Sequence, residues 1–156
     1  MTPFLAARPR ADRSFERLYR RHATDVYRYA YGVLRNRADA EDVTQTTFLN
    51  AYRALERGEE PRAALNWLVT IAHNVCRQRF RTASRRPREV AFDEAVAEAL
   101  VADDDAPSVT DVRRALGRLA FNHRAAMVLR EIEGRSYAEI ADVLGISTSA
   151  VETLVF

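Results

Sequence analysis

Three groups of side chains in this sequence have types and spacings that could do chemistry. The first is the acidic turn Asp39-Ala40-Glu41-Asp42, three carboxylates within four residues. Carboxylates so close can hold a divalent metal or share a proton in acid–base catalysis. Either use needs further ligands or a partner base, and no His or second carboxylate cluster accompanies them. On a helix, residues 39, 41 and 42 also point in different directions. The plain reading is negative charge complementing a helix dipole in solvent. That leaves Gln45, Thr46 and Asn50 unexplained, and with them the turn looks like a polar docking face.

The second group is Asn66, Trp67, Thr70, His73, Asn74, Arg77 and Arg81, spaced along the non-core side of one helix. Aromatic rings stack unpaired bases while arginines hold the backbone, which grips single-stranded nucleic acid without any catalytic centre. For Trp67 the competing role is packing in the core. Arg77, Arg79, Arg81, Arg85, Arg86 and Arg88 follow, and so dense a run favours phosphate contact over a merely solvated helix end. The third group is SYAEIADVLGISTSAVETLVF, residues 136–156. Ser136 and Glu139 have capping-box spacing, Gly145 stands where the chain must turn left-handed, Ile146 plugs the corner and Ser147 caps a second helix. Tyr137, Ile140, Ala141, Leu144, Ala150, Val151 and Leu154 form one apolar face. Thr148, Ser149, Glu152 and Thr153 then point outward, where a helix-turn-helix meets base edges in the major groove. A simple two-helix corner would not need cap, glycine, plug and second cap in that order.

The elements that position these groups are helical. Residues 1–12 read as a loose tail interrupted by Pro3 and Pro9. Residues 13–35 read as an amphipathic helix with Phe15, Leu18, Tyr19, His22, Val26, Ala30, Val33 and Leu34 inward. Asn36 caps a second helix, whose apolar face is Val43, Phe48, Ala51, Tyr52 and Leu55. Pro61 is placed to open a third, running to about residue 81 on Leu65, Leu68, Ala72, Val75 and Cys76. Residues 88–110 turn acidic and read as a linker, with a short helix around 90–101. Residues 111–119 and 122–133 read as two more helices, the latter with Ala126, Met127, Leu129 and Ile132 in the core, ended by Gly134. The fold class is all-α: two small helical modules, 13–87 and 111–156, joined by an acidic linker.

Composition agrees with this division. The net charge is only +2, yet residues 1–88 hold 18 Arg against 9 acids and residues 89–156 hold 6 Arg against 13. The basic half calls for a polyanion or an acidic protein. Cys76 is the single cysteine, so no intramolecular disulfide forms, and the helical period places it in the core. His22, His73 and His123 are scattered, and His73 with Cys76 makes no zinc site. No metal or cofactor is expected. No apolar run reaches the ~20 residues of a membrane span, and no signal peptide opens the chain, so it is expected in the cytoplasm.

The segments FERLYRRHATDVYRYAYGVLRNRADAEDVTQTTFLNAYRAL, ALNWLVTIAHNVCRQRFR and VLREIEGRSYAEIADVLGIS resemble, in order, the bacterial extracytoplasmic-function (ECF) sigma factors of the sigma-70 family. The resemblance spans 15–156. It implies a promoter-specificity subunit without enzymatic activity, one that binds core RNA polymerase and helps melt promoter DNA. Residues 13–87 match region 2. There Asp39, Glu41, Asp42 and Gln45 would dock on the β′ clamp helices, with Phe48 packed inside, and Asn66, Trp67, Asn74, Arg77 and Arg81 would capture the minus-ten element. The acidic linker matches the segment that passes through polymerase toward the RNA exit path. Residues 111–156 match region 4, which touches the β flap, and Ser147, Thr148, Ser149, Glu152 and Thr153 would face the minus-thirty-five element. Control by an anti-sigma factor is common in the family and implied here.

A stand-alone helix-turn-helix regulator is the alternative, but it gives no role to the acidic turn or to the Trp67 helix. A nuclease would need a metal or nucleophile cluster that the sequence does not display. Two departures from the family pattern stand out. Leu119-Ala120-Phe121 occupies the place of a leucine-proline turn. The sequence also stops at Phe156, about two turns into a recognition helix that normally continues into an arginine-rich stretch, and Glu152 repels phosphate. Weak minus-thirty-five binding is therefore expected of residues 111–156, and a gel shift showing tight, specific duplex binding by them would contradict it.

Overall fold

The computed structural model describes residues 4–84 and 108–156, and their regular structure is entirely helical. The first module is α1 (Phe4–Leu34), α2 (Arg37–Glu56) and α3 (Ala64–Ser84). The second is α4 (Val109–Met127), running on into a π-helical turn (Val128–Ile132), then α5 (Tyr137–Leu144) and α6 (Thr148–Val155). The expected linker helix near 90–101 and the arginines at 85, 86 and 88 lie outside the described residues.

Local chemistry sets most helix ends. Arg35 reverses the chain in a left-handed conformation (φ 56°), and the Asn36 side chain accepts the Asp39 amide at 2.9 Å to cap α2. Gly134 (φ 62°) ends the π-helical turn, as its position in the sequence foretold.

Three boundaries differ from expectation. Residues expected to form a loose tail extend α1 back to Phe4. Ala6, Ala7 and Ala11 favour the helix, and tertiary contacts hold it: Ala11 is buried, Asp12 accepts the Tyr52 hydroxyl at 2.7 Å, and Arg10 meets Glu60 at 3.0 Å. The Asp12 bond raises the Tyr52 phenol to about 12. Next, α3 starts at Ala64, not at Pro61, because the Ala63 carbonyl takes the first helical bond, from the Trp67 amide. Finally, the two helices expected at 111–119 and 122–133 are one. No proline interrupts residues 119–121, and Phe121 is buried against His73 and Phe80, with ring centroids 5.0 and 5.3 Å away. The π-helical turn inserts an extra residue per turn, so Ile132, expected in the core, is exposed.

The core of the first module is Val26, Ala30 and Val33 from α1, Val43, Phe48 and Ala51 from α2, and Leu68, Ala72 and Cys76 from α3. Cys76 is buried, and that burial pushes its thiol up to about 12, so it stays a small apolar filler. Tyr19, expected inside, is half exposed at the edge of a ring cluster with Phe15 and Phe48. Tyr29, not singled out by its spacing, is wholly buried and shares a 2.8 Å hydrogen bond with His73 Nδ1.

The apolar faces of the two modules meet in one continuous core. Gly32 of α1 has no room for a side chain, since a Cβ there would lie 2.8 Å from Val128 Cγ1. Beside it the Arg124 guanidinium donates to the Val33 carbonyl at 3.0 Å. Among the described residues, no helix is long and apolar enough to cross a membrane.

Burial and the nearby Arg77 hold His73 neutral, with a pKa lowered from 6.5 to about 4. Between those values the unfolded chain binds a proton that the fold refuses. Stability is therefore fully present above pH 6.5 and lost as pH falls toward 4, by at most about 3 kcal/mol. The thermal midpoint should drop across that window more steeply for the native chain than for His73→Asn. Parallel curves for the two would refute the assignment.

Candidate nucleic-acid interface

The helix-turn-helix is built by its own sequence. Ser136 Oγ accepts the Glu139 amide at 3.2 Å, and Ser147 Oγ accepts the Ala150 amide at 3.1 Å. Between these caps Gly145 turns left-handed (φ 67°), and the amides of Gly145 and Ile146 both donate to the Ala141 carbonyl. Only half of the expected capping box forms. The Glu139 carboxylate lies 3.5 Å from Arg135 rather than reaching back to Ser136. Ile140, Val143, Leu144 and Val151 are buried and Ile146 packs against them. Tyr137 is half-buried, with the Arg130 guanidinium 4.8 Å above its ring. Thr148, Ser149, Glu152 and Thr153 are exposed on α6, as their spacing predicts. Ser147 is exposed too, but its hydroxyl is engaged as the cap.

On α3, Asn66, Asn74, Arg77 and Arg81 fall within a third of the helix circumference. Asn74, Arg77 and Arg81 are exposed, while Asn66 is half-buried with a sheltered Oδ1. Trp67 serves both of the roles considered for it. It packs partly against the core, and it lines a cleft of about 280 Å³ together with Ile71, Asn74 and Gln78 of α3 and Asn50 and Ala54 of α2. The structure removes two residues from this surface. The His73 ring is turned into the core rather than outward. Arg79 points the other way, donating to Asp39 at 3.0 Å and to Asp42 at 3.3 Å. Two residues' separation rotates it by about 200° from Arg77 and from Arg81, so the spacing already contained this.

The acidic turn of α2 is therefore a composite. Asp39 and Asp42 are clamped by Arg79, Glu41 pairs with Arg37 at 3.4 Å, and Asp42 and Gln45 are exposed. Leu49, missed in the sequence because an exposed leucine looks like any core leucine, is half exposed one to two turns further along the same side. Phe48 is buried, with its ring edge-on to Phe15. Among the described residues, no group of three or more His, Cys, Asp and Glu could hold a metal.

A helix-turn-helix fused to a helical module with an aromatic-basic face defines a class: proteins that handle DNA by binding it. Comparison with known proteins narrows the class to a family. Residues 18–86 match the family model "Sigma-70 region 2", and residues 110–156 match "Sigma-70, region 4". The RNA polymerase sigma factor CarQ of Myxococcus xanthus is 37% identical over 144 residues, covering 90% of this chain and 82% of that protein. The ECF RNA polymerase sigma factor SigM of Mycobacterium tuberculosis is 35% identical over 152 residues, 96% of this chain and 76% of that protein. A chain of the solved RsbN–BldN complex aligns at 28% identity and TM-score 0.38, over 93% of this chain and 91% of that one. The chain belongs to the ECF sigma factors of the sigma-70 family. It is a transcription-initiation factor and not an enzyme.

Gly145 tests how the motif is held. Among the described residues a Cβ there would touch nothing within 4 Å, so substitution costs only backbone strain. Gly145→Ala should lower stability by about 1–2 kcal/mol in a denaturant melt, and an unchanged melt would show that the corner is not left-handed.

Proposed function

We propose that this chain directs RNA polymerase to its promoters through three separate surfaces, acting in the cytoplasm. The turn of α2, with Asp39, Glu41, Asp42 and Gln45, docks on the β′ clamp helices of core polymerase. The outer face of α3, with Asn66, Trp67, Asn74, Arg77 and Arg81, captures the melted minus-ten element. The start of α6, with Ser147, Thr148, Ser149, Glu152 and Thr153, faces the minus-thirty-five element, and its module (residues 111–156) touches the β flap. Residues 13–87 and 111–156 act as the two functional units, linked by 88–110 on the path toward RNA exit.

The observation that carries the reading is the division of α3. Arg79 leaves one side of the helix to brace the acidic turn, while Asn74, Arg77 and Arg81 occupy the other beside the Trp67 cleft. One rigid element thus ties a docking surface to a strand-binding surface, as a subunit that positions polymerase on open DNA requires. Phosphates and unpaired bases suit the second surface because arginine forks bind phosphate and a partly open indole stacks.

The promoter also sets a length. Minus-ten and minus-thirty-five elements lie about 25 base pairs apart, or about 85 Å of duplex axis. A compact chain of this size has a radius of gyration near 15 Å. The two modules therefore part at the Gly32–Val128 contact when they engage both elements together. An anti-sigma factor that kept them closed would block transcription.

Co-elution with bacterial core RNA polymerase tests this, beside an Asp42→Arg variant. The native chain should bind and the variant should bind at least 10-fold more weakly. Asp42 is exposed, so a thermal melt of the variant should stay within about 1 kcal/mol of native stability. If neither chain binds polymerase while the native chain shifts promoter-free duplex, the reading fails.

A further inference from the structure

Helix α1 carries a surface that none of these roles uses. At 100° per residue, its outward side presents Arg10, Arg13, Arg17, Arg20, Arg21 and Arg28, all exposed. Thr24 is the other polar residue between them, and no carboxylate falls within about 60° of the outward axis. Glu16 sits at the margin and pairs with Arg20 at 2.8 Å; Arg10 pairs with Glu60 at 3.0 Å. Both pairs are exposed, so a stronger anion displaces them readily. Among the described residues Arg13, Arg17 and Arg21 have no ion-pair partner. With Glu16 and Arg20 they wall a shallow open depression of about 510 Å³. The stripe ends in two aromatic rings: Tyr27 and Tyr31 lie nearly parallel (16°) with centroids 6.1 Å apart, and Tyr31 is 47% exposed.

We infer that this outward face of α1 is a second binding surface for single-stranded nucleic acid, with the arginines on successive phosphates and Tyr31 as a base-stacking platform. The spacing fits. Arg13, Arg17 and Arg21 stand one helical turn apart, about 6 Å each, and the stripe from Arg10 to Tyr31 is about 30 Å long. An acidic protein would satisfy the guanidiniums but gives the exposed ring no task. A duplex keeps its base faces stacked and covered. A single strand uses both parts, charge along its backbone and an aromatic face for a base. The stripe lies on the side of α1 opposite the one packed against α2 and α3, so it adds to the α3 face and does not extend it.

The full chain alone, without polymerase, suffices for the test. Its binding to a fluorescein-labelled 16-nucleotide oligo-dT, a 16-base-pair random duplex and polyglutamate is followed by anisotropy across a salt series. Arg13→Gln/Arg17→Gln/Arg21→Gln should weaken oligo-dT binding at least 10-fold at low salt. It should also lower the log–log salt slope by about 2, three phosphates at about 0.7 each. Tyr31→Ala should weaken it at least 5-fold with the slope unchanged. Added to an Arg77→Gln/Arg81→Gln background, the triple change should still weaken oligo-dT binding by a similar factor. Native affinity in the triple variant overturns the proposal, as does a loss confined to duplex, or polyglutamate binding as tight as that of oligo-dT. All these residues are on the surface, and a melt confirms that each variant is folded. Failure here leaves the polymerase reading untouched, because polymerase is absent.

Discussion

Tyr29 and His73 are both buried, and the 2.8 Å hydrogen bond between them makes that burial tolerable. Two polar rings without each other would each lose their bonds to water with nothing in exchange, at about 1–3 kcal/mol apiece. The pairing fixes the register of α1 against α3. It also presents the imidazole face to Phe121, whose ring sits between His73 and Phe80, and so brings in α4. The remaining imidazole nitrogen, Nε2, has no hydrogen-bond partner among the described residues. Burial and Arg77 accordingly keep the ring neutral. The contact that joins the modules is thus sensitive to a proton.

The same junction explains why Gly32 must be glycine. Glycine inside a helix costs up to about 1 kcal/mol relative to alanine, and Gly32 in the last turn of α1 bears only part of that. The return is close approach, since Val128 fills the space where a Cβ would stand. Arg124 closes the rim by taking the Val33 carbonyl, one of those left unbonded at the end of α1. Together with Phe121 against His73 and Phe80, this contact closes one continuous core across the two modules.

Helix α3 shows how one element serves several needs by rotation alone. Leu68, Ala72 and Cys76 face the core, Arg79 braces the carboxylates of α2, and Asn74 with Arg77 and Arg81 faces solvent. The Arg79 clamp has a further effect. It holds Asp39 and Asp42 in place at some cost in net negative charge, so the acidic turn is ordered rather than merely charged. Exposed Leu49 beside it supplies apolar area that charge alone lacks.

The sequence by itself determined what local chemistry controls. Asn36, Ser136 and Ser147 capped the helices assigned to them, Gly134 and Gly145 turned left-handed, and the period of 3.6 placed Thr148, Ser149, Glu152 and Thr153 outward. These outcomes depend on residues within one or two turns of each other, so no distant partner could overrule them. Tertiary structure decided the rest. The α1 helix reached back to Phe4 because Asp12 and Arg10 found partners on Tyr52 and Glu60, forty or more residues away. His73 lay inside because Tyr29 waited there, and Phe121 kept α4 continuous because a pocket on α3 received it. Ile132 went outward because a π-helical turn, invisible in residue types, shifted the period. Each of these rests on a long-range contact or a change of helical pitch, and neither is written in the spacing of a single helix.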